Sequence, residues 1–144
     1  MLGGEYRHTL DPKGRVSIPA KFRNELGNVF VVSKGIGEKC LFIFTLEEWQ
    51  KIENKIRSLP LSDKNARQFT RYFVGGASEC ELDKQGRVMI PPYLREYASL
   101  KKDVVVIGAT TRVEIWDSDT WNGYTSKEDE SFGDMLDSMR ELGI

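Results

Sequence analysis

The 144-residue chain predicts an α+β fold of two tandem β-hairpin/helix repeats, and three observations carry that expectation. First, LDPKGRVSIPAKFR at 10–23 returns as LDKQGRVMIPPYLR at 82–95. Leu10/Leu82, Asp11/Asp83, Gly14/Gly86, Arg15/Arg87, Val16/Val88, Ile18/Ile90, Pro19/Pro91 and Arg23/Arg95 coincide at an offset of 72. Second, apolar residues alternate with period two on the far side of each Asp-x-x-Gly segment, the pattern of a half-buried strand. Third, each alternating stretch gives way to helical spacing bounded by proline, glycine and capping residues.

The elements follow in order. A short strand runs into Asp11, and Asp11-Pro12-Lys13-Gly14 suits a type I turn, with Pro12 supplying φ at the second position. Asp83-Lys84-Gln85-Gly86 is its counterpart. Beyond the turns Val16 and Ile18 point inward while Arg15 and Ser17 point outward, and Val88 and Ile90 point inward against Arg87 and Met89. Pro19 and Pro91-Pro92 suit first helical turns, and Gly27 stops the first helix after Leu26. A second strand pair is expected at 29–33 with 40–44 and at 104–108 with 112–116. Here Val29–Val32 corresponds to Val104–Ile107, three residues beyond the frame, which returns to 72 at Ile43/Ile115, Phe44/Trp116 and Trp49/Trp121. Thr45 and Glu48 form a capping box for a helix with Leu46, Trp49, Ile52, Ile56 and Leu59 on one face. An extra helix at about 63–74 starts at Ser62 and ends at Gly75-Gly76, and Ser118 is the expected cap ahead of Trp121. In the tail, Phe132, Met135, Leu136, Met139 and Leu142 share a helical face expected to pack on the body or on a neighbouring subunit, with an exposed acidic segment as the plainer alternative. The chain thus divides into a first half (1–72), a second half (73–121) and an acidic, partly helical tail (122–144).

Composition narrows the function. Forty per cent hydrophobic and 30% charged residues suit a globular domain. No apolar run reaches the roughly 20 residues needed to span a bilayer, and MLGGEYRHTL lacks the regions of a signal peptide, so a cytoplasmic protein without a membrane partner is expected. Cys40 and Cys80 build neither a CxxC nor a disulfide framework, and with His8 as the one histidine no metal site is expected. The net charge of −1 conceals an asymmetry. From Asn122 onward six acidic residues face two basic ones, whereas residues 1–72 hold 13 Lys/Arg against 8 Asp/Glu. Such basicity permits an anionic partner without requiring one.

Catalysis is not expected, and neither is a cofactor or a small-molecule substrate. The sequence has no Ser/His/Asp set and no phosphate-binding loop, and Gly35-x-Gly37 lacks the rest of a dinucleotide fingerprint. Glu47 and Glu48 suit the first turn of a helix, where the dipole favours acids. The candidate binding residues are at the turns: Lys13 and Arg15 with Arg7 nearby in the first copy, and Lys84, Gln85 and Arg87 in the second. A tight turn on a two-stranded ribbon carries such side chains into a major groove, where arginine clamps guanine or phosphate and glutamine reads adenine. Lys21, Arg23, Lys101 and Lys102 could add backbone contacts. The plainer alternative is that Arg15 and Arg87 salt-bridge the aspartates of their own turns, and the two readings can coexist. Asp11 and Asp83 are turn formers, with Gly14 and Gly86 completing the motif. Trp49, Trp116 and Trp121 lie on amphipathic faces and are read as core rather than as stacking platforms.

The duplicated D-x-x-G-R-V-x-I-P pattern is more specific than its charge. Together with GEYRHTLDPKGRVSIPAKFR (4–23), EEWQKI (47–52), RYFVGGASECELDKQGRVMIPPYLR (71–95) and IGATTRVEIWDSDTW (107–121), it resembles the MraZ family, regulators built of two tandem SpoVT/AbrB-type halves. The resemblance implies a pseudo-dimer of interleaved halves, a swapped-hairpin β-barrel with flanking helices. It implies ring-shaped homo-oligomers that bind double-stranded DNA at repeated sites upstream of their own gene, the first of a division and cell-wall cluster, and so a nucleoid-associated protein. The family's D-x-x-x-R motif falls on Asp11–Arg15 and Asp83–Arg87, making these arginines the leading DNA contacts. A non-enzymatic protein-interaction module on the same fold is the alternative.

Overall fold

A computed structural model describes residues 1–144, except for the side chains of residues 127–130. The first repeat holds β1 (Gly3–Thr9), β2 (Arg15–Ser17), α1 (Ala20–Leu26), β3 (Val29–Lys34), β4 (Leu41–Thr45), α2 (Leu46–Arg57) and α3 (Lys64–Phe73). The second holds β5 (Ser78–Glu81), β6 (Arg87–Met89), α4 (Pro92–Tyr97), β7 (Asp103–Ala109), β8 (Val113–Asp117) and α5 (Ser118–Glu141). A division at residue 72 falls in the last turn of α3, and one at 121 falls inside α5.

The strands form a six-stranded antiparallel sheet in the order β1-β7-β8-β4-β3-β5 and a two-stranded ribbon, β2-β6. The sheet order reads the same from either end once repeat counterparts are equated. Each flank takes its outermost strand from the other repeat: β1 pairs with β7, and β5 with β3. The ribbon is likewise one strand from each repeat. The local hairpin expected around each Asp-x-x-Gly turn is therefore hardly formed. In the first copy Leu10 and Val16 make only an isolated bridge, because the strands before and after the turn diverge to partners in the other repeat. Closure into a barrel is also not found, since β1 and β5 remain as two separate edges of the sheet.

Period-two alternation builds a core on both faces of the sheet. On the inner face Phe30, Val32, Leu41, Ile43, Val104, Val106, Val113 and Ile115 pack against Val16, Ile18, Val88 and Ile90 of the ribbon and Phe22 and Leu94 of α1 and α4. On the outer face Phe42, Phe44, Val105 and Trp116 are covered by Trp49, Ile52 and Ile56 of α2, Phe69 and Phe73 of α3, and Trp121 of α5. Phe73 stacks on Phe69 and on Trp49, each at 5.4 Å between centroids. Trp116 is thus buried in the core, and Trp49 and Trp121 pack against it partly buried, so all three serve packing as their spacing suggests.

Three local expectations shift. Asp63, not Ser62, caps α3, its carboxylate accepting from the Ala66 N–H. Asp117, not Ser118, caps α5, and it stands where Thr45 caps α2 in the first repeat. Phe30 and Val104 pair at matching places beside Cys80 and His8, so β3 and β7 correspond two residues beyond the 72-residue frame rather than three. In α5 the apolar tail residues Phe132, Met135, Leu136 and Leu142 are exposed, so the body of this chain does not cover them.

Candidate nucleic-acid interface

Each Asp-x-x-Gly-Arg segment is a self-contained hydrogen-bonded unit. Asp11 Oδ1 accepts from the backbone N–H of Lys13 at 3.0 Å and of Arg15 at 2.8 Å, and Oδ2 accepts from Arg15 Nε at 2.5 Å. The Gly14 N–H closes the turn on the Asp11 carbonyl at 2.9 Å. The second turn repeats the pattern: Asp83 Oδ1 accepts from Gln85 N at 2.8 Å and Arg87 N at 2.9 Å, Oδ2 from Arg87 Nε at 2.9 Å, and Gly86 N reaches the Asp83 carbonyl at 3.0 Å. These bonds favour the charged carboxylates. The backbone N–H groups of Arg15 and Arg87 chiefly hold Asp11 and Asp83 below the usual carboxylate range, with the guanidinium groups adding to the effect.

The ribbon brings the two units together. Arg15 lies opposite Met89 and Ser17 opposite Arg87, and the ladder extends through Ile18 N to the Gly86 carbonyl and Ile90 N to the Gly14 carbonyl. Arg87 Nη1 also comes within 3.9 Å of Asp11 Oδ2, linking both turns into one cluster. The salt-bridge reading of Arg15 and Arg87 therefore describes their resting state. They are 28% and 25% exposed, and each engages its own aspartate through Nε. Arg15 keeps both terminal nitrogens without a partner among the described residues. A guanidinium anchored at Nε with its outer edge open is pre-aimed for a planar acceptor.

Lys13, Lys84 and Gln85 are exposed at the turns, with no side-chain partner among the described residues. Arg7 is placed elsewhere. Opposite Val105, it belongs to the outer face of the sheet and donates to Ser118 Oγ at 3.1 Å and Glu5 Oε1 at 3.2 Å. The structure does not bring it to the ribbon cluster.

Gly14 has φ +83° and a Cβ there would sit 2.5 Å from Cζ of Arg95, while at Gly86, with φ +76°, it would overlap the guanidinium of Arg23. Each turn is thus roofed by an arginine from the helix of the other repeat, and glycine is required both by the backbone and by the close approach. Arg95 Nε is buried without a hydrogen-bond partner. The signal was present in the Arg23/Arg95 coincidence, but its cross-repeat geometry depends on the strand exchange. Arg95 also lines a cleft with Asp11, Pro12, Lys101 and Lys102 beside the first turn.

Fold and site together define a class: fused tandem-repeat α+β proteins whose repeats exchange strands and share one ribbon of Asp-x-x-Gly-Arg turns. The family model of the MraZ protein matches the chain in two segments, residues 1–72 and 73–141, the second extending well into the tail. Proteins named transcriptional regulator MraZ are similar along the full length of both chains: 55% identical over 144 residues in Thermoanaerobacter pseudethanolicus, and 52% in both Halothermothrix orenii and Acetivibrio thermocellus. The chain belongs to the MraZ family.

Proposed function

We propose that this protein is a sequence-specific, non-enzymatic DNA-binding transcriptional regulator that acts through the β2–β6 ribbon. The observation that carries the reading is the paired turn cluster: two arginines, each oriented by its own aspartate, on one face formed jointly by both repeats. Arg15 and Arg87 read base edges or clamp phosphates, Lys13 and Lys84 contribute point charges, and Gln85 offers a bidentate amide. Arg7 remains a candidate for a peripheral backbone contact. The relatives' name, transcriptional regulator, supports the role. The exchanged strands support a pseudo-dimer of halves 1–72 and 73–121 followed by the 122–144 tail.

The regulated target in this reading is the protein's own division and cell-wall gene cluster, repressed from repeated upstream sites by a ring-shaped homo-oligomer in the cytoplasm at the nucleoid. A net charge of −1 disfavours tight binding by a single copy, whereas several modestly basic ribbons on one ring gain affinity by avidity. Among the described residues no helix is long and apolar enough to cross a membrane.

The test is binding of wild type and an Arg15→Ala/Arg87→Ala double variant to DNA from upstream of the gene, with a salt titration. Two good arginine contacts contribute about 1–3 kcal/mol each, so the variant should lose between about 30-fold and about 10⁴-fold while remaining folded and oligomeric. Equal binding by both proteins refutes the ribbon as the contact surface and turns attention to Lys64, Arg67 and Arg71 on α3. Failure of wild type to bind any such fragment favours the protein-interaction alternative.

A further inference from the structure

The outer face of the ribbon carries two cross-strand pairs, Arg15 opposite Met89 and Ser17 opposite Arg87. The repeat frame equates Arg15 with Arg87, and Ser17 with Met89. A symmetric ribbon would hold the same residue at positions 17 and 89, and this one does not. Met89 is 57% exposed between Val88 and Ile90, which are fully buried. Alternation therefore directs it outward, and core packing does not account for it. A lone exposed methionine is ordinary on a protein surface. What distinguishes Met89 is its place, across the strand from an arginine whose outer nitrogens are open.

Directly opposed residues on one face of an antiparallel pair have Cβ atoms about 5 Å apart. A base contacted by Arg15 therefore lies within reach of the Met89 thioether. In the major groove the 5-methyl of thymine is the one apolar group displayed at a base edge, and apolar side chains read it by contact. Methionine, unbranched and polarizable, adapts readily to such a contact. Ser17 offers Arg87 a different neighbour, a hydroxyl that donates or accepts at a polar edge.

We propose that Met89 is a specificity-determining residue that contacts the 5-methyl of a thymine beside the base read by Arg15, and that the Arg87/Ser17 side of the ribbon has no such requirement. The inference rests on the DNA-binding reading above, and it makes the two sides of each bound site chemically unequal.

The test removes the methyl alone. The upstream fragment is prepared with deoxyuridine in place of every thymidine, and wild type and Met89→Ser are titrated against both forms. One buried methyl group corresponds to about 0.8 kcal/mol, a loss of about fourfold for each contacted site. Wild type should weaken by at least that factor on the deoxyuridine fragment. Met89→Ser should lose about fourfold less than wild type on the same replacement, for each contacted site. Because the comparison is a cycle, any change that deoxyuridine makes to DNA shape acts on both proteins and cancels. Equal discrimination by wild type and Met89→Ser, or none by either, overturns the inference while leaving the ribbon reading intact, provided Arg15→Ala/Arg87→Ala still loses binding. Loss of that arginine dependence overturns both. Met89→Ser alters an exposed side chain, and an unchanged melting temperature confirms that it folds.

Discussion

Replacing Asp117 tests how the second repeat is tied together. Its carboxylate is buried at the end of β8. Oδ2 accepts from the N–H groups of Asp119 at 3.2 Å and Thr120 at 3.5 Å, and Oδ1 from the N–H of Lys101 at 3.1 Å. The residue both caps α5 and pins the loop between α4 and β7. Asp117→Ala removes the cap, at about 1 kcal/mol, and leaves the partly buried Lys101 N–H without its partner, at about 1–3 kcal/mol. The Lys101 ammonium is two-thirds exposed, so its ion pair adds little. The sum is about 2–4 kcal/mol, or roughly 6–15 °C in melting temperature for a chain of this size. Thr45→Ala removes a single bond to Glu48 N and should cost about 1 kcal/mol. Ser118→Ala forfeits one exposed bond from Arg7 and should cost less than about 1 kcal/mol. Calorimetry and urea titration at one fixed protein concentration, so that assembly contributes equally, give the ranking. A Ser118→Ala loss equal to or above that of Asp117→Ala would refute the cap assignment and restore the serine that the sequence pattern favours.

Three further outcomes are expected. Gly86→Ala forces an L residue to φ +76°, at about 1–2 kcal/mol, and displaces Arg23. In an Arg23→Ala background the loss should shrink toward the backbone cost alone, which thermal denaturation of the double-mutant cycle measures. Asp11 and Asp83 have folded-state carboxyls below the usual range, so their contribution is fully present above about pH 4 and disappears as the pH falls through the folded value; the stability gap between wild type and Asp11→Asn/Asp83→Asn should be flat near neutrality and close only in that acid window. Lys13→Ala should weaken binding to all DNA sequences alike and lower the slope of log affinity against log salt by about 1 if Lys13 meets a phosphate.

What the sequence discloses here is what depends on neighbours along the chain. The Asp-x-x-Gly turns, the inward Val16 and Val88 of β2 and β6 with Ile18 and Ile90 just beyond them, the Thr45 cap and the strand pairs β3–β4 and β7–β8 all follow from local patterns, and the structure has them. The pairing of β1 with β7 joins residues such as Tyr6 and Val106, and alternation specifies which face a strand buries without naming its partner. Hence local pattern alone places the turns at the tips of hairpins, whereas each sits between a strand that leaves for the sheet and one that leaves for the ribbon. The same gap explains Arg95. Its match with Arg23 was legible, but its position over Gly14 follows only once β2 lies against β6. The choice between Asp117 and Ser118 has a smaller cause. Asp and Ser are both good caps, and one residue of difference in where β8 ends decides between them.

Strand exchange between fused copies also explains why the site can be asymmetric. In a symmetric homodimer of single modules, any substitution on the ribbon appears twice, once on each side of the axis. Fusion removes that constraint. Here the first turn carries Pro12-Lys13 and the second Lys84-Gln85, and the outward ribbon positions hold Ser17 and Met89. The residues that build the cluster keep their identity in both copies: Asp11 and Asp83, Gly14 and Gly86, Arg15 and Arg87, Arg23 and Arg95. Those positions serve both halves at once, because each glycine makes room for an arginine of the other repeat, and a change in either copy disturbs a turn of its partner. The outward positions serve only what lies across them. The pattern of identity and difference between the two copies therefore separates the residues that shape the ribbon from those free to differ between its two sides.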